Sequence, residues 1–315
     1  MRRLHPVGNP LMKRIVILGT GGTIAGQALS ADNCAGYVAA QIAVADLVAA
    51  IPGLTRFALE TEQVAQVDSK DMSFAIWRAL AQRVAHHLGR EDVAGIVITH
   101  GTDTLEETAY FLHRVLAPSR PVVLTAAMRP ATALAADGPQ NLLDSVCLAA
   151  LPDARGVLAC VAGTVHAGCE VRKTHTSRMD AFDSGDAGPL GYMEAGALRR
   201  LRDWPQGEAL GLARALRADW PRVDIVMNCA GADGALVDAL AALGTSGIVA
   251  ACTGNGTLAA PLEQALLRAQ GSGIAVLRST RVGRGCVSGA PDSALPSAGT
   301  LTPVQARVEL MLRLS

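Results

Sequence analysis

Arg14-Ile-Val-Ile-Leu-Gly-Thr-Gly-Gly-Thr-Ile-Ala-Gly26 joins a short apolar strand to a glycine-rich turn, and its reading decides the fold. Four apolar residues in succession, Ile15–Leu18, suit a strand covered on both faces, as in a parallel sheet. The same pattern returns at Gly95–Thr99, Val122–Ala126, Val157–Val161, Asp224–Cys229, Ile248–Cys252 and Ile274–Leu277. Between these runs the apolar period lengthens to that of helices. Ser73–Leu88 puts Phe74, Trp77, Ala81, Val84 and Leu88 on one face, and Gly89 stops it. Thr104-Leu-Glu-Glu107 reads as a capping box opening a helix to about Leu116. Further helices are expected at Gln140–Leu151, Leu236–Leu243, Leu258–Ala269 and Val304–Leu314.

The alternation breaks at Tyr192–Arg202, where Glu194-Ala-Gly-Ala197 reads as a hairpin turn before an arginine-rich stretch. It resumes after Pro221. The expected class is therefore α/β with two domains. Residues 1–200 form a larger, mostly parallel sheet flanked by helices, 201–221 a linker, and 222–315 a smaller α/β domain. A TIM barrel is the alternative, which the hairpin and linker argue against.

Composition narrows the function. The 315 residues carry 28 basic and 28 acidic side chains, a balance that gives no reason to expect nucleic acid or an anionic membrane as partner. No apolar run approaches the roughly 20 residues of a membrane span. Ile15–Leu18 is too short for the apolar region of a signal peptide and runs into a turn, so the sequence predicts an unprocessed chain. Seven scattered cysteines, with no CxxC pair, fit a reduced cytoplasmic setting, and no histidine pair has metal-ligand spacing. Only Lys13, Lys70 and Lys173 are lysines. Lysine can serve as a base once its pKa is lowered, whereas arginine does not deprotonate in proteins. Each lysine is thus either a plain surface residue or one kept for a special role.

The glycine turn is not a dinucleotide fingerprint, because the third glycine of that spacing would fall at Ile24, nor a Walker loop, because no lysine follows. On its own it is a tight turn carrying Thr20 and Thr23. A second loop, Thr99-His-Gly-Thr-Asp-Thr104, also follows a buried strand and leads into a helix start. Thr102 and Asp103 therefore sit beside free N–H groups at the positive end of that helix. Ligands of open α/β sheets bind at the carboxyl ends of strands, so the two loops read as one site. Ala126-Ala-Met-Arg-Pro130, the turn Asp137-Gly-Pro139 and Val171-Arg-Lys173 are further loop segments.

Taken together, Thr20–Gly26, Ile98–Thr104 and Ala126–Pro130 resemble the bacterial L-asparaginase and glutaminase–asparaginase family, nearest its type II branch, from about Lys13 onward. The resemblance implies hydrolysis of L-asparagine to L-aspartate and ammonia, with some L-glutamine activity and no cofactor. It implies Thr23 as nucleophile with Tyr37 as its activating partner, and a second cluster of Thr102, Asp103 and Lys173. It places Gly22, Ser69, Lys70, Gly101 and Ala127 at the substrate, with Asp103 also holding its amino group. A homotetramer, a dimer of dimers, is implied, in which the loop Thr253–Thr257 reaches a neighbouring subunit's site.

The sequence departs from that pattern at four places. Lys70 stands where Gln or Glu is usual, and Thr257 where Asn or Ser is common. Between Arg284 and Leu301 there is no Glu to pair with the lid tyrosine, and Asp292 is the sole carboxylate. Relatives usually continue with another helix after the one ending at Leu314, which predicts an altered subunit interface. A non-catalytic asparagine- or aspartate-binding protein on the same scaffold is the alternative reading. The related amidotransferase subunit acting on transfer RNA is disfavoured by the absence of net positive charge.

Overall fold

The computed structural model describes residues 13–28, 37–288 and 294–315. Arg14–Gly21 forms the first strand, parallel to Leu59–Val67 on one side and Val93–Thr99 on the other. Pro121–Thr125 and Gly156–Val161 continue the parallel sheet, and Thr164–Ala167, Gly191–Glu194 and Ala197–Arg200 extend it antiparallel to eight strands. The sheet is open, which excludes the barrel. Alternate side chains of the buried strands feed two cores. Val16, Leu18, Ile96, Ile98, Val122 and Leu124 face the helices Phe74–Leu88 and Leu105–Leu116. Ile15, Ile17, Val97, Val123 and Leu158 face the helix Gly138–Ala149 on the other side. The expected two-faced burial is what the apolar runs produce.

Leu59–Val67 was not foreseen. It is an edge strand of half-buried residues, several of them polar, and its Glu60 and Glu62 are held by Arg90, Arg83 and His87 rather than by apolar packing. The hairpin is as expected, with Ala195 and Gly196 at positive φ between its strands.

The smaller sheet has three parallel strands, Val223–Met227, Gly247–Cys252 and Ala275–Thr280. The helices Ala235–Ala242 and Ala260–Gly271 pack on one face. The helix Pro303–Leu314, capped by Thr302 and Gln305, lies against the other face and also touches the helix Leu105–Leu116. Across this junction Glu309, 2% exposed, accepts two bonds from the Arg114 guanidinium, at 2.7 and 3.0 Å, and one from the Tyr110 hydroxyl. Burial alone would raise the Glu309 pKa, but Arg114, Arg313 and Tyr110 outweigh it and hold the carboxyl below the usual range. Stripping the charge from this pair leaves Arg114 half-paired. Glu309→Gln is therefore expected to cost about 3 kcal/mol in urea unfolding at neutral pH. A group with a depressed folded pKa stabilises above its unfolded value and ceases to as pH falls through the folded one. The difference between variant and wild type should accordingly shrink below about pH 4.

Candidate active site

Two glycines bring the loops together. Gly22, at φ +82°, lies so close to the second loop that a methyl group there would sit 2.4 Å from Gly101 Cα. A methyl at Gly101 would in turn sit 2.4 Å from Ser69 Oγ. Thr23, Thr102 and Ser69 thus flank one point where three strand ends meet. Ser69 arrives at the end of the edge strand, in the short turn Ser69–Asp71. Its Oγ accepts the Asp103 N–H at 3.2 Å, and its carbonyl accepts the Thr104 hydroxyl at 2.8 Å. That last bond corrects the sequence reading. Thr104 occupies the N-cap position, but its side chain makes no capping bond, because it fastens the Ser69 turn instead.

Thr23 opens a 3-10 turn and is buried, with its Oγ1 2.7 Å from the Tyr37 hydroxyl. Tyr37 comes back to it on the two-residue strand Tyr37–Val38, paired with Gln27–Ala28. Thr20, the other hydroxyl of the turn, donates to the Thr99 carbonyl at 2.8 Å and serves to join the two loops. Lys173 reaches the second loop from a two-stranded ribbon, Arg172–Lys173 against Phe182–Asp183. Its Nζ donates to Thr102 Oγ1 at 2.9 Å and Asp103 Oδ1 at 2.6 Å.

His100 shapes the second loop from within. It is fully buried, and desolvation pushes its pKa down to about 4, against a backbone hydrogen bond at Gly101 that raises it. Its neutral ring sits between the Gly101 carbonyl, 2.7 Å from Nδ1, and Thr108 Oγ1, 3.0 Å from Nε2. Trp77 Nε1 donates to the same threonine.

Ala127 is buried and packs with Ile24 and Ala25, the residues following Thr23. Its loop is held by two residues that the sequence reading left as a turn and helix start. Asp137 accepts the Met128 and Arg129 N–H groups, and Asn141 donates to the Ala126 carbonyl while accepting the Ala162 N–H. Their spacing of four on one helix face was the available signal.

Two other expected site residues stand apart. Lys70 is exposed and paired with Asp71, a bond that raises its pKa. Thr257 bonds Thr253 within its own loop at the end of the small sheet. Asp292 lies outside the described residues.

With this geometry in place, comparison with known proteins decides the family. A family model described as Asparaginase, N-terminal, matches residues 14–206. The chain belongs to the asparaginase family. A second model, the Glutaminase/Asparaginase C-terminal domain, matches residues 222–315. The chain is 39% identical to L-asparaginase 2 of Escherichia coli, over 96% of its own length and 89% of that protein. It is 37% identical to the glutaminase-asparaginase of Pseudomonas fluorescens, covering 87% and 77% of the two chains. The crystal structure of a probable cytoplasmic L-asparaginase from Campylobacter jejuni superposes with a TM-score of 0.91 at 38% identity, covering 96% of this chain and 95% of that one. Two of the segments quoted from the sequence, Thr20–Gly26 and Ile98–Thr104, meet at the Gly22–Gly101 contact, and Ala127 of the third packs on Ile24 and Ala25. Among the described residues no helix is long and apolar enough to cross a membrane, and no cluster of His, Cys, Asp or Glu could hold a metal ion.

Proposed function

We propose that this chain hydrolyses L-asparagine to L-aspartate and ammonia, with L-glutamine as a second substrate, through a threonine nucleophile. The observation that carries the reading is the convergence of two hydroxyls at one glycine contact, Thr23 bonded to the Tyr37 hydroxyl and Thr102 to Lys173 Nζ. Thr23 Oγ1 attacks the side-chain amide carbon as its proton passes to the Tyr37 oxygen, which hands its own proton on to the amide nitrogen. The carbon–nitrogen bond breaks, and the nitrogen, so protonated, leaves as ammonia. Water, activated by the Thr102–Asp103–Lys173 relay, then adds to the aspartyl ester and frees Thr23 and aspartate. Threonine is a weak nucleophile until a base takes its proton, which is why each hydroxyl needs its partner. The backbone N–H groups at the helix start suit an anionic substrate group. Ser69 and Asp103 stand where they can take the carboxylate and amino group of the substrate, and Gly22, Gly101 and Ala127 line it through their backbone.

The assay is ammonia release from L-asparagine and from L-glutamine. Turnover of asparagine supports the reading. A rise in melting temperature with asparagine but no ammonia would instead identify a binder.

Lys70 adds a cation near the Ser69 turn, and its partner Asp71 leaves it outside the hydrogen-bonded cluster. Lys70→Gln is expected to change KM more than kcat and to change the asparagine-to-glutamine ratio. Unaltered kinetics on both amides would remove Lys70 from the site.

The remaining elements of the reading concern assembly, domains and compartment. Thr257 lies on a loop with no bond to the Thr23 cluster of its own chain, which supports a role at a neighbour's site in a homotetramer. Light scattering of the active species tests this, and a fully active monomer would contradict it. We place the domain division in 201–221, a segment that carries the short helix Leu212–Ala215 between the two sheets. The six described cysteines are free thiols, which supports a reducing, cytoplasmic compartment.

A further inference from the structure

Lys173 is held at both ends by one helix start. Its Nζ meets Thr102 and Asp103, and its main-chain N–H donates to Glu106 Oε2 at 3.1 Å. Lys173 stands opposite Phe182 in the two-stranded ribbon, and a side chain of the neighbouring helix accepts its N–H. Glu106 does so from the first turn of the helix Leu105–Leu116, three residues beyond Asp103.

We propose that Glu106 is the positioning residue of the site: its carboxylate fixes the backbone of Lys173 so that Nζ is delivered to Thr102 and Asp103. This rests on the reading of Lys173 as the base of the relay. Among the described residues Glu106 makes no hydrogen bond to Thr23, Thr102 or Asp103, and it borders a cavity of about 530 Å³ shared with Arg172, Lys173, Arg281 and Thr302.

The tether depends on pH. Burial pushes the Glu106 pKa up to about 7, against the Lys173 N–H bond that lowers it. Neighbouring Glu107 raises it further, and Arg172 and Lys173 on the ribbon oppose that. Glu107 is itself faced by Arg307 from the C-terminal helix, at 3.9 Å. Arg281 is the other charged group on the cavity wall. Above about pH 7 the ionised carboxylate is a charge-assisted acceptor. Below it the protonated carboxyl holds the N–H less firmly, and Lys173 is less well placed.

Two variants and one spectrum test this. Glu106→Ala removes the acceptor and should lower kcat by about 10- to 100-fold with little change in KM, since small misplacements at a reacting centre cost that much. Glu106→Gln keeps an acceptor oxygen but cannot ionise. It should show at every pH the lower kcat that wild type reaches below about pH 7, with no further decline on acidification through that value. The chain has only three lysines, so a [15N]lysine-labelled sample gives three amide signals, with Lys173 assigned by its loss in Lys173→Met. In wild type that signal should titrate with a midpoint near 7, and in Glu106→Gln it should not. Superimposable pH profiles and a Lys173 amide indifferent to Glu106→Gln would overturn the proposal. If the amide titrates as expected but wild type releases no ammonia, the tether stands and the functional reading falls.

Discussion

Thr23→Ala is expected to reduce ammonia release from L-asparagine by about a thousandfold or more, the scale of removing a nucleophile from a unit whose parts act together. Among the described residues the Thr23 hydroxyl has one side-chain partner, the Tyr37 hydroxyl at 2.7 Å. Alanine keeps Cβ and loses only Oγ1 and the Cγ2 methyl, a change of two heavy atoms, so the fold should survive. Thr23→Ser keeps the oxygen and should recover a substantial part of the rate. Thr102→Ala should also be severely impaired, because it removes the hydroxyl through which Lys173 reaches the reacting centre. Because the two threonines serve successive steps of one reaction, the double variant should be little worse than either single one. Initial rates with both amides check all of these. A Thr23→Ala protein with near wild-type turnover would mean that this hydroxyl is a structural partner of Tyr37.

Lys173→Met is expected to lower kcat by about 10²- to 10⁴-fold, the range spanned by positioned acids and bases. Methionine has a similar length and apolar stem, so the ribbon keeps its shape while both Nζ bonds, to Thr102 and Asp103, are lost. Lys173→Arg should not restore the rate, even though it keeps the charge opposite Asp103, because a guanidinium cannot cycle a proton. If arginine did restore it, Lys173 would be an electrostatic anchor rather than a base. The two explanations are separated by that one substitution.

The parts of this account that were legible in the sequence share a physical cause. Strands buried on both faces must be apolar throughout, so Ile15–Leu18 and its counterparts marked the central sheet without further help. Loops at the carboxyl ends of neighbouring strands share one crevice. This marked the turn carrying Thr20 and Thr23 and the loop carrying Thr102 and Asp103 as one site, while the parts of Gly22 and Gly101 came from the family resemblance. What was missed depends on contacts between distant segments. The edge strand Leu59–Val67 is stabilised by ion pairs with Arg83 and Arg90, so no apolar period announced it, although it delivers Ser69. Thr104 had the spacing of a capping box, yet its hydroxyl went to the Ser69 carbonyl, a partner 35 residues away. Asp137 looked like a local turn former and Asn141 like an ordinary helix residue, and both instead bind the loop of Ala127. Glu106 was one half of a first-turn acidic pair, and only the position of the ribbon revealed what it accepts.

Both threonines are bonded to a group that could take their proton, so the account's central claim is the assignment of the acyl group to Thr23. The direct measurement is acid quenching during turnover of L-asparagine, followed by peptide mass mapping of the aspartyl ester. The account predicts the added mass on the peptide that carries Thr23, and its absence from that peptide in Thr23→Ala. An ester found on the peptide carrying Thr102, with Thr23 unmodified, would contradict it.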